Sequence, residues 1–126
     1  MARNFKKLEV WKLGYDLTLE FYKMTENFPD HELNNFVSQI RRASTSIPLN
    51  IAEGCSRHTK NSFLQFLRYA YGSCRELEVA LMLSRDLKYI TIQDYDEANE
   101  KVDKLSRKLF VFIEKVTKEK WFNYFK

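Results

Sequence analysis

The sequence is poor in residues that turn, break or staple a chain: three glycines, two prolines and two cysteines among 126 residues. So few turn-formers exclude a many-stranded β fold and point to long helices. Cys55 and Cys74 lack C-x-x-C spacing and read as free, buried thiols of a reducing compartment. The two histidines, His31 and His58, fall in expected loops between different helix pairs. Neither H-E-x-x-H nor the E-x-x-H pairs of a di-iron bundle occurs, so no metal and no other cofactor is expected. Ser44, Thr45, Ser46 and Ser73 have no histidine at a spacing that marks a base, and G-x-S-x-G is absent. The chain therefore reads as non-enzymatic. No run approaches about 18 uninterrupted apolar residues, and MARNFKKLEVWKL has no signal-peptide core. A cytoplasmic protein without a membrane partner is expected.

What is present is globular: 44% hydrophobic and 30% charged residues, in a length suited to one domain over residues 1–126. The net charge of +4 and pI near 9.0 permit a nucleic-acid or acidic partner without demanding one.

Apolar spacing gives four helices, over about residues 8–27, 33–57, 60–87 and 92–119. In the first, Val10, Leu13, Leu17, Phe21, Met24 and Phe28 form one stripe, and Trp11, Tyr15 and Tyr22 a second. The second stripe either meets another helix of the bundle or a second subunit. The second helix carries Leu33, Phe36, Val37, Ile40, Ile47, Ile51 and Cys55, in phase on both sides of Pro48. One helix kinked near Ser44 is the expectation, with two shorter helices as the rival. Thr59 caps the third helix, whose stripe runs from Phe63 to Leu81. Thr91 and Asp94 have capping-box spacing ahead of the fourth. There Tyr95, Ala98, Val102, Leu105, Leu109, Phe112 and Val116 step 3-4-3-4-3-4, the seam of a left-handed bundle. The expected fold is all-α, an antiparallel up-down left-handed four-helix bundle. The tail Trp121–Phe125 is too aromatic for solvent and either folds back or meets another subunit.

One polar face of the second helix is regular. Arg42, Ser46, Asn50, Glu53 and Arg57 step by four, four, three and four, opposite Ile40, Ile47 and Ile51. Arg41 flanks it, and His58 and Lys60 extend its charge past the helix end. Arginine forks match phosphates, so this face could hold RNA or DNA; an ordinary solvated surface would look the same. Glu53–Arg57 and Arg75–Glu78 are spaced for ion pairs. Glu53, Glu76 and Glu78 otherwise suggest a polar cluster shared across a subunit interface.

QIRRASTSIPLNIAEGCSR, FLQFLRYAYGSCRELE and a leucine-rich stretch ending in LKYI, with FKKLEVWKLGYDL and FPDHE before them, carry a resemblance. They resemble the four-helix-bundle family encoded by intervening sequences within bacterial large-subunit ribosomal RNA genes, over about residues 5 to 116. The resemblance implies a left-handed antiparallel bundle and a homopentameric ring. Similar proteins serve diversity-generating retroelements, where a basic pentamer associates with reverse transcriptase and nucleic acid. The matching positions are Arg41, Arg42, Asn50, Glu53, Gly54 and Arg57, with Gly72, Ser73 and Glu76. The leading expectation is a homo-oligomer that binds RNA or a ribonucleoprotein through Arg41, Arg42, Asn50, Arg57, His58 and Lys60. Glu53, Ser73 and Glu76 would then form an oligomer or structural polar cluster. The alternative is an interaction scaffold or accessory subunit whose arginines serve contacts between copies.

Overall fold

Helix starts occur where a side chain replaces a missing N–H partner. Thr59 Oγ1 accepts the Ser62 N–H at 3.1 Å, and Thr91 Oγ1 the Asp94 N–H at 3.0 Å; only the threonine half of that capping box forms. A computed structural model of the chain describes residues 3–121. Among these, four α-helices and no strand occur: α1 Glu9–Thr25, α2 Ser38–Cys55, α3 Lys60–Asp86 and α4 Ile92–Lys118. The four-helix reading of the sequence agrees with this architecture.

The principal shift lies before α2. Leu33–Val37 form a π-helical turn that runs into Ser38. Its wider i→i+5 bonding adds a residue to the turn and moves Leu33 off the apolar stripe. Leu33 is 55% exposed, whereas Phe36 and Val37 are buried. Counting 3.6 residues per turn from Leu33 misplaces it for that reason.

α2 is continuous from Ser38 to Cys55 through Pro48, so it is not two shorter helices. Proline 48 has no N–H for the Ser44 carbonyl. That carbonyl instead accepts from Thr18 Oγ1 on α1 at 2.8 Å. The Ser44 and Thr45 hydroxyls donate elsewhere, to the Arg41 carbonyl at 3.1 and 2.7 Å. The close approach that brings Thr18 there depends on Gly14. A Cβ at that position would stand 2.9 Å from Ile47 Cγ2 and 3.6 Å from Pro48 Cδ.

Neighbouring helices run antiparallel in their contacts. Thr18 meets Ser44 and Arg41 meets Thr25; Ser46 meets Ser73 and Arg57 lies over Phe66; Glu9 meets Lys108 and Glu20 meets Lys101. The apolar stripes meet inside. Phe21, Ile47, Ile51, Phe63, Leu67, Leu77, Val102, Leu105 and Leu109 are fully buried, each contributing about 1.5–3 kcal/mol.

The two ends close differently. At one, Phe28, Phe36 and Tyr89 stack with centroids 5.1–6.4 Å apart, and the Tyr89 hydroxyl donates to Glu32 at 2.7 Å. α3 ends there with Lys88 in the left-handed region (φ 65°). The Tyr89 and Lys88 N–H groups return to the Ser84 and Arg85 carbonyls, a Schellman closure made without the usual glycine. At the other end Arg3 pairs with Glu119 and lies 5.4 Å above Phe63, whose ring is 5.8 Å from Trp121. Trp121 thus folds back on α3; the rest of the aromatic tail, 122–125, lies outside the described residues.

Candidate nucleic-acid interface

Most of the α2 face is engaged within the chain. Arg41 stacks 4.7 Å over Tyr22, and its Nε donates to Thr25 Oγ1 at 2.9 Å. Arg57 stacks 4.5 Å over Phe66 and pairs with Glu53 at 2.5 Å. Its Nε is buried without a hydrogen-bond partner among the described residues. Lys60 lies at the start of α3, where its ammonium donates to the Thr117 and Glu119 carbonyls at 2.8 and 2.9 Å and so caps α4. Asn50 donates to the Ser46 carbonyl at 2.8 Å, and the Ser46 and Ser73 hydroxyls lie 2.5 Å apart, tying α2 to α3.

Of the predicted arginines only Arg42 is exposed and forms no hydrogen bond or ion pair with a described residue. His58 is exposed in the turn between α2 and α3. Ser73 binds Ser46, Glu53 pairs with Arg57, and Glu76 is exposed, so no hydrogen bond joins these three. The i,i+3 pair of Arg75 with Glu78 forms at 3.0 Å, and with Tyr71 it raises the guanidinium further above its ordinary value.

A second basic surface lies on α4. Lys101, Lys104, Lys108, Lys115 and Lys118 recur at helical spacing along one side. Acids of α1 hold two of them: Glu20 with Lys101, whose ammonium that hydrogen bond pushes up, and Glu9 with Lys108 at 3.1 Å. Lys104, Lys115 and Lys118 are exposed and pair with no described residue. The spacing was available in the sequence, but reading α4 by its apolar seam treats the flank beside that seam as solvent.

Among the described residues no group of three His, Cys, Asp or Glu could hold a metal ion, and no helix is long and apolar enough to cross a membrane. Burial pushes the Cys74 thiol up to about 12 and raises that of Cys55. Neither thiol has the thiolate character of a nucleophile.

No curated protein matches the chain. A solved structure of a protein with unknown function, from the S23 ribosomal protein family of Bacteroides thetaiotaomicron, is similar at 25% identity and a TM-score of 0.75; the match covers 83% of this chain and 98% of that one. The model of the 23S rRNA-intervening sequence protein family matches residues 6–111. With most of its length and its helical architecture matched, the chain belongs to the 23S rRNA-intervening sequence protein family.

Proposed function

We propose that the protein is a non-enzymatic cytoplasmic homo-oligomer, a pentameric ring, that binds RNA or a ribonucleoprotein through its basic surface. The observation that carries this reading is the α4 row, where Lys104, Lys115 and Lys118 stand exposed without a counter-ion among the described residues. Lys115 and Lys118, three residues apart, repel each other by a few tenths of a kcal/mol, a cost that an anion covering them would remove. Phosphates supply that anion at regular spacing. Self-association is supported by α3, where Tyr69, Gly72, Glu76, Val79 and Leu83 step 3-4-3-4 along one exposed side. Tyr69, Val79 and Leu83 are each about half exposed, a stripe that a second copy would cover. Five copies would multiply the charge of +4 into a ring-wide field.

The alternative, a scaffold whose arginines serve contacts between copies, would rest on Arg42, because Arg41 and Arg57 are engaged within the chain. Two measurements test the proposal together. Mass determination should give a closed oligomer, and retardation assays with ribosomal RNA fragments at low salt should show binding. Lys104→Ala/Lys115→Ala should leave the ring intact and weaken binding; loss of the ring in Arg42→Ala would favour the scaffold. An assembly that retards no RNA at low salt sinks the nucleic-acid reading.

A further inference from the structure

The net charge conceals a separation of charge along the bundle. Divide each helix near its midpoint, at Leu17, Ile47, Cys74 and Ser106. The half holding residues 3–16, 47–73 and 106–121 contains twelve Lys and Arg against five Asp and Glu, a net of +7. The half holding residues 17–46 and 74–105 contains eight against twelve, a net of −4.

Helix dipoles explain part of this. α4 opens with Asp94, Asp96, Glu97 and Glu100 and closes with Lys115 and Lys118, the order its macrodipole favours. α1 and α3 run the other way. Lys6, Lys7 and Lys12 surround the start of α1, and α3 has no acid in its first turn and begins with Lys60, followed by Arg68. Lys6, Lys7 and Lys12 sit at the positive end of α1, where they disfavour folding, whereas Lys60 is held by the end of α4 and Arg68 lies beyond the first turn of α3. Dipoles and capping thus account for Lys115, Lys118 and Lys60 but not for the cations at the start of α1 or for Arg68, which an external anion would offset.

At the boundary of the basic half a groove of about 610 Å³ opens between the start of α1 and α4. Leu8, Val10 and Phe112 line it with Lys104, Arg107 and Lys115, and Glu9 within it is held by Lys108. From Lys104 to Lys118 the helix rises about 21 Å, the length of about six nucleotides of one strand.

We infer that the basic end is the docking face for the RNA phosphate backbone, one strand lying along α4 in this groove, with the acidic end turned away. This rests on the nucleic-acid reading above and adds the face and the orientation. In a ring whose rotation axis runs along the bundles, copies would present like ends to the same side and add these fields rather than cancel them.

The test compares two double variants that each lower the net charge by two, at opposite ends: Lys115→Ala/Lys118→Ala and Lys23→Ala/Lys88→Gly. Binding of a fluorescent RNA hairpin is followed by anisotropy between about 50 and 200 mM salt. Wild type should bind with a steep salt dependence. The basic-end pair should lower the slope of log affinity against log salt by about two and weaken binding about tenfold or more at moderate salt. The acidic-end pair should stay within about twofold. Equal losses in both variants would mean that net charge alone matters and would overturn the face, leaving RNA binding itself intact. Wild type that binds a glutamate-rich amphipathic peptide here, and no RNA, would overturn both.

Discussion

Replacing Thr18 by Val removes one hydroxyl and keeps the side-chain shape, yet the loss should fall on a different helix. The Thr18 hydroxyl lies 2.8 Å from both the Gly14 and the Ser44 carbonyl oxygens. Its single proton serves one at a time. Gly14, inside α1, has a backbone donor four residues on, whereas Pro48 leaves the Ser44 carbonyl without one. Ser44 is fully buried, so no water replaces the lost donor. An orphaned buried acceptor costs about 1–3 kcal/mol, a shift of about 4 °C in Tm per kcal/mol for a chain of this size. Pro48→Ala restores an N–H four residues after Ser44. In that background Thr18→Val should cost less than about 0.5 kcal/mol, giving a coupling of about 1–2 kcal/mol. The double-mutant cycle subtracts the packing lost with the proline ring, because that loss is common to both backgrounds. Urea unfolding at one fixed protein concentration measures it, read as a change in midpoint at constant m-value. Equal costs of Thr18→Val with and without Pro48 would refute the reasoning.

Lys60→Met should release the last carbonyls of α4 and lower stability by about 1 kcal/mol, with faster amide exchange confined to the end of that helix. Lys88→Gly should raise stability by about 1 kcal/mol, read as a higher urea midpoint, because φ 65° strains a lysine and suits glycine. Both thiols should resist a thiol reagent at neutral pH and label on unfolding. Burial raises the folded-state pKa of Cys74 from 9.0 to about 12, so its stabilisation is complete below pH 9. Above that the unfolded state releases its proton first, and stability should fall by up to about 1.4 kcal/mol per pH unit until about pH 12. Cys74→Ala should flatten that limb of the pH profile.

Element by element, the local code was legible. The α4 seam, the Thr59 and Thr91 caps, the paired spacing of Glu53 with Arg57, and the continuity of α2 in phase across Pro48 all follow from periods of three and four residues. These features involve residues within one turn of each other, where sequence spacing fixes spatial spacing. The π turn at Leu33–Val37 escaped because it changes the period itself.

The candidate site was less legible. Spacing put Arg41 and Arg57 on or beside a polar face of α2, but whether a charge on that face meets solvent depends on what a neighbouring helix offers. Tyr22 and Thr25 of α1 take Arg41, Phe66 of α3 takes Arg57, and the end of α4 takes Lys60. Arg42, one residue from Arg41, meets no such partner among the described residues.

By itself, then, the sequence determined four helices, their apolar faces and the α2 arginine row, because each depends on contacts along a single helix. Only the tertiary structure decided which cations remain available. It also set the Thr18 donor against the carbonyl that Pro48 orphans, and gathered charges from five separate segments into a basic and an acidic end. Those outcomes depend on antiparallel packing, which brings residues distant in the chain within a few ångströms and leaves others, such as Lys115 and Lys118, facing water.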